Sequence, residues 1–117
     1  GNFTISGSNS LKNITNSYSA TGATTITFTS GTTTTLTNFT AAGTSGKILT
    51  IGATSTSAAT LSKSSGTVSV DYVSISYSTA TGGASWNAGA NSTNGGNNSG
   101  WIFSSASTST SNFLMFF

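Results

Sequence analysis

Thr67-Val68-Ser69-Val70-Asp71-Tyr72-Val73-Ser74-Ile75-Ser76-Tyr77 carries two apolar alternations that do not share a phase. Val68 and Val70 fall on one parity; Val73, Ile75 and Tyr77 fall on the other. Successive side chains of a strand point to opposite faces, so one unbroken strand cannot bury both sets in the same core. The three-residue step from Val70 to Val73 therefore requires a bulge or a corner at Asp71-Tyr72, with a short strand on each side. Leu36 and Phe39 show the same step.

Elsewhere the apolar residues also arrive in short alternating groups: Phe3 and Ile5 in NFTIS, Ile26 and Phe28 in TTITFT, Leu49 and Ile51 in KILTI, Ala59 and Leu61 in AATLS. Each group reads as a strand with about two inward positions, and the next follows a Gly- or Ser-containing corner roughly ten residues on. Helix is disfavoured, because serine and threonine compete for backbone hydrogen bonds or lose rotamer freedom there, and no long 3.6-residue apolar period occurs. The chain reads as all-β. A β-sandwich or jelly roll would accommodate short strands, but sandwich strands usually bury more positions each than these offer. A solenoid coil needs only one or two inward apolar residues per face. We therefore expect a short right-handed parallel β-helix over residues 1–103, closed by a C-terminal loop region, with a polar tract and an apolar tail over 104–117. Pairing TTITF with AATLS and TTLTNF with TVSVDYV suggests a loose internal repeat of roughly thirty residues.

Composition narrows the function. The 117 residues include three Lys or Arg, one Asp or Glu, and no His, Cys or Pro. General acid–base catalysis needs a titratable group beside a partner that shifts its pKa, and glycoside hydrolysis by the usual route needs two carboxylates. Asp71 has no carboxylate partner, so no catalytic residues are expected. Neither a metal site nor a cofactor is expected, since the commonest ligands are missing. Lys12, Lys47 and Lys63 stand apart in sequence and there is no arginine, which excludes the clustered cations that phosphate backbones require; nucleic acid is not an expected partner. No apolar run is long enough to span a bilayer, and the N-terminus lacks the basic and apolar regions of a signal peptide. A start at Gly1 fits a processed product or a piece of something longer. Serine and threonine occupy 48 positions, so hydroxyls rather than charges supply solubility.

Four features invite a functional reading. Asp71, the lone acid, could contribute to a calcium site, but a corner that needs an acceptor for backbone N–H groups explains it better. Asn91-Ser92-Thr93-Asn94-Gly95-Gly96-Asn97-Asn98-Ser99-Gly100 resembles a calcium loop with amides in place of acids; asparagine and glycine also adopt positive φ cheaply, which suits a multi-turn loop that returns Trp101, Ile102 and Phe103 to a core. Trp86 and Trp101, with Asn94 and Asn97, could form a glycan-stacking platform, or the two indoles could close the end of the solenoid. Phe113, Leu114, Met115, Phe116 and Phe117 form the most apolar stretch, and burial between subunits would cover it. Five N-x-[ST] sequons, at Asn2, Asn13, Asn38, Asn91 and Asn97, are expected from the composition, and TSGK at 44–47 lacks the flanking residues of a P-loop.

The stretch GTVSVDYVSISYSTATGGASWNAGANSTNGGNNSGWIF, with Leu61-Ser62-Lys63 before it, resembles a C-terminal segment of phage and bacterial repeat proteins of β-helix type, which are virion or surface structural proteins. The matching positions include Val70-Asp71-Tyr72, Ala80-Thr81-Gly82-Gly83-Ala84, Trp86, Ala88-Gly89, Asn91-Ser92, Gly95-Gly96-Asn97-Asn98 and Gly100-Trp101. The resemblance covers about a third of the chain and carries over no catalytic residue. It implies a structural role in a virus particle, decorating or cementing a capsid or forming part of a tail or fibre. The expected partners are other copies of the chain, as a homo-oligomer such as a trimer, and a larger particle or surface protein. A glycan-binding adhesin, secreted or at a cell surface, and an extracellular filament or matrix subunit are the alternatives. Deleting residues 113–117 is expected to lower the oligomer mass measured by sedimentation; an unchanged mass would remove the tail from the interface.

Overall fold

The computed structural model of the chain describes residues 2–16 and 22–103. Among these residues lie twelve short strands and no helix. They are β1 (Asn2–Ile5), β2 (Asn9–Ile14), β3 (Thr24–Phe28), β4 (Thr33–Phe39), β5 (Leu49–Ala53), β6 (Ala59–Ser62), β7 (Thr67–Ser69), β8 (Val73–Ser76), β9 (Ser78–Thr81), β10 (Ser85–Gly89), β11 (Thr93–Gly96) and β12 (Trp101–Phe103). Every strand pair is parallel. The first sheet runs β1-β3-β5-β8-β11, the second β2-β4-β6-β9 and the third β7-β10-β12. Successive members of each sheet are one turn of the chain apart, so the architecture is a parallel β-helix.

Equivalent positions stack on one another from coil to coil. In the first sheet Ile26 pairs with Ile51 and Ile51 with Ile75, and all three are fully buried. Beside them run Thr24, Leu49 and Val73. The third sheet stacks Val68, Trp86 and Trp101. The outward positions between the two columns of the first sheet, Thr25, Thr50 and Ser74, are taken by threonine and serine, whose β-branched or short side chains suit a pleated, half-solvated surface.

The repeat is shorter than the pairing of TTITF with AATLS suggests. TTITF is β3 and stacks on LTIGA, β5, whereas AATLS contains β6 and belongs to the second sheet. Each strand of every sheet is a two-residue apolar alternation flanked by hydroxyls, so sequence similarity does not tell one face from another. Paired positions in early coils are 25 residues apart, as Ile26 and Ile51 are, and that interval falls to 19 between Leu61 and Ala80 and between Ile75 and Asn94. The coils therefore tighten toward the C-terminus.

The phase break at Asp71-Tyr72 is a corner: β7 ends at Ser69, β8 begins at Val73, and Tyr72 has φ +53°. Val68, Val70, Val73 and Ile75 are all buried, but Tyr77 leaves that set. It sits half-exposed at a second corner with φ +50°, and the inward phase passes to Ser78 and Ala80. The Leu36-to-Phe39 step is a bend within one continuous strand. Leu11 and Ile14 of β2 make the same step in register, so the two strands turn together. The closing region is more regular than a multi-turn loop, since Thr93–Gly96 adds β11 to the first sheet with a register shift between Asn94 and Gly96.

Ile51 has a stacked isoleucine on each side. Ile51→Ala is expected to cost about 2–5 kcal/mol in urea unfolding, while Thr50→Ala, outward on the same strand, stays within about 0.5 kcal/mol.

Candidate functional site

The chemistry-bearing side chains gather at the corners of the last two coils. The Asp71-Tyr72 corner is held from both neighbours. Below it, Gly43 N–H donates to the Asp71 carbonyl at 3.1 Å and Leu49 N–H to the Tyr72 carbonyl at 3.0 Å. A Cβ on Gly43 would lie 2.3 Å from the Tyr72 oxygen, so the approach requires glycine there. Above it, the Asp71 carboxylate clasps the next coil. Its Oδ1 accepts from Tyr72 N–H at 2.9 Å and Asn91 N–H at 2.8 Å, and its Oδ2 from Asn91 Nδ2 at 2.8 Å. Gly89, at φ +89°, lies so close that a Cβ would stand 2.6 Å from Asp71 Oδ1. Ser92 ties the same turn down, donating to the Ala88 carbonyl and accepting from Val73 N–H at 3.1 Å.

Burial works to raise the Asp71 pKa, but the hydrogen bonds from Asn91, Tyr72 and Ser92 outweigh it and bring the group below its ordinary value. The carboxylate therefore stays ionised with N–H groups directed at both oxygens. That arrangement suits a clasp and makes a poor general base.

At the second corner an asparagine side chain stands in for missing backbone. Asn98 Oδ1 accepts from Ser78 N–H at 3.0 Å, and Asn98 Nδ2 donates to the Ile75 carbonyl at 2.7 Å. One amide thus supplies a donor and an acceptor to the chain on either side of Tyr77, where β11 has already ended. Asn94 Oδ1 accepts from Gly96 N–H at 3.0 Å and from Asn98 Nδ2 at 2.8 Å, which orients that amide.

Both tryptophans are buried, Trp86 at 2% and Trp101 at 8% exposure. Their ring centroids are 5.1 Å apart at 70°, and Phe39 meets each edge-on at 6.1 Å. Each indole N–H is used internally: Trp86 Nε1 donates to the Thr81 carbonyl at 3.1 Å and Trp101 Nε1 to buried Ser78 Oγ at 3.0 Å. Of the two roles open to this pair, the geometry matches closure of the core, because neither ring presents a face for a sugar. Asn94 and Asn97 are exposed on the fifth coil. Phe113, Leu114, Met115, Phe116 and Phe117 lie outside the described residues.

No group of three His, Cys, Asp or Glu side chains able to hold a metal occurs among the described residues. The role of Asn98 escapes sequence reading, because nothing in NGGNNSG distinguishes it from its neighbours. The role of Ser78 as an indole acceptor also depends on a contact between coils, and that of the Thr81 carbonyl on the corner between β9 and β10. Comparison with known protein families, with curated proteins and with solved structures finds no match.

The Asp71 clasp makes stability depend on pH with a definite sign. A folded pKa below the ordinary 3.8 means that the clasp contributes fully above that value and fades as pH falls below it and through the lower folded pKa. Urea midpoints should be flat near neutrality and drop toward about pH 3, and Asp71→Asn should abolish the drop. The same variant is expected to lose about 1–3 kcal/mol at neutral pH through weakened hydrogen bonds.

Proposed function

We propose that the chain is a non-enzymatic structural component of a virus particle, of phage type, that decorates or cements a capsid or forms part of a tail or fibre. The observation that carries this reading is how the polar side chains of the last two coils are spent. Asp71, Asn91, Ser92, Asn98, Ser78 and the Trp101 indole N–H are committed to joining one coil to the next, while Asn94 orients Asn98 and the Trp86 indole N–H ties β10 to β9 within one coil. Side chains held in this way build a stiff object and leave little for turnover of a substrate. The resemblance of Leu61–Phe103 to β-helix-type virion and surface proteins supports the same reading, as does a surface with four formal charges. In this reading the chain acts by self-assembly and works in the extracellular particle.

Contacts made by such a surface should owe little to ion pairs, so the assembly should tolerate salt. Sedimentation of the full chain is expected to give a closed homo-oligomer whose mass is the same at low and at molar NaCl. Immunogold labelling should place it on particles purified from the source culture. A monomer under both conditions, with label confined to the soluble fraction, would overturn the proposal.

A further inference from the structure

The outward face of the second sheet carries a grid of hydroxyls that the core does not require. Thr33, Thr60 and Thr79 stack in one row, and a bridge continues it from Thr79 to Ser99. Two residues along each strand, Ser10, Thr35, Ser62 and Thr81 form a second row. Adjacent strands lie about 4.8 Å apart and alternate side chains on a strand about 6.6 Å apart, so the hydroxyls occupy a near-rectangular lattice. Between the rows Thr34, Leu61 and Ala80 point into the core and anchor the lattice from beneath.

This face is the most regular of the three. No register shift interrupts β2-β4-β6-β9, whereas the first sheet shifts between Asn94 and Gly96 and the third between Asn87 and Gly89. In the first sheet the outer row of Thr27 is broken by Gly52, and the third places exposed Ile102 opposite Asn87. β-Branching restricts χ1 of the threonines and so limits where their hydroxyls and methyls can lie, while Ser10, Ser62 and Ser99 add hydroxyls without a methyl. Among the described residues, Thr33, Thr35, Thr60, Ser62 and Thr79 make no side-chain hydrogen bond, and Thr81 donates to the Leu61 carbonyl. The two rows are uncharged; of the neighbouring lysines, Lys63 turns its ammonium back to the Ser65 carbonyl, and Lys12 is exposed on β2 two residues beyond Ser10.

A hydroxyl both donates and accepts, so the complementary partner is neutral, flat and repeats donors and acceptors at a lattice spacing. The grid offers no aromatic ring for a sugar to stack on, which disfavours a polysaccharide. Crystalline water meets every one of these conditions. We propose that this face binds ice, the hydroxyls joining the surface layer of the crystal while the methyls between them order the intervening water. The inference rests on the second sheet alone and is independent of the virion proposal.

The test is incorporation of the purified full chain into a slowly growing ice hemisphere, with thermal hysteresis measured beside it. The unaltered chain should enter the ice. Thr60→Tyr, which raises a ring at the centre of the grid, should be excluded and lose hysteresis; Thr50→Tyr, on the first sheet, should behave as the unaltered chain. Fluorescence of buried Trp86 and Trp101 reports whether each variant is folded, and should Thr60→Tyr not fold, Thr35→Lys at an exposed position carries the same expectation. Exclusion of the unaltered chain from ice, including exclusion with retention on crystalline cellulose, would overturn the proposal. So would full incorporation of a folded grid variant.

Discussion

The structure depends on one constraint: every coil must return the chain to hydrogen-bonding register with the coil before it. Parallel strands bond evenly along their length, so an inward residue stays inward only if its partner one turn away is inward too. Ile26, Ile51 and Ile75 satisfy that condition across three coils. Once it holds, the chain's freedom is confined to the corners. There the special conformations collect: Tyr72, Tyr77 and Asn97, the non-glycine residues at positive φ among those described, all lie between strands. Each costs of order 1–3 kcal/mol in isolation and survives because neighbouring coils over-determine it.

Register also accounts for the scarcity of charge. Stacking places equivalent positions about 4.8 Å apart. Two like charges at that separation repel by about 1 kcal/mol in water and by about 3 kcal/mol at the effective dielectric of a protein surface. A charged outward position would have to alternate sign from coil to coil, whereas threonine and serine are compatible with copies of themselves. Thr25, Thr50, Ser74 and Thr93 illustrate this on the first sheet, as do Ser10, Thr35, Ser62 and Thr81 on the second. The acid that does occur, Asp71, stands at a corner, outside every ladder, where backbone N–H groups surround it.

Much of this was legible in the residues. Short two-position alternations imply a solenoid, and the parity change between Val70 and Val73 locates a corner. The coil length was not legible, because TTITF, LTIGA and AATLS differ too little to reveal which two stack. The second corner was hidden for a related reason. Tyr77 keeps the parity of Ile75, and only the burial of Ser78, a polar residue, shows that the inward phase has moved. That burial depends on Trp101, whose indole N–H supplies the hydroxyl's partner from 23 residues away.

The tightening of the coils explains why the tryptophans are where they are. As the chain shortens, the second sheet narrows inward: Leu61 is followed in register by Ala80, and Ala59 by Ser78. The step from Leu61 to Ala80 removes volume that a close-packed interior has to recover elsewhere, and the step from Ala59 to Ser78 brings in a hydroxyl at little change of size. The third sheet moves the opposite way, from Val68 to Trp86 and then Trp101. The indoles thus occupy space that the second sheet gives up, and Phe39 reaches both of them edge-on. Their N–H groups then need acceptors, and the narrowed sheet provides them in Ser78 Oγ and the Thr81 carbonyl. Small residues on one face and large ones on the other are therefore a single adjustment, and the polar atoms at its seam fix the orientation of the rings.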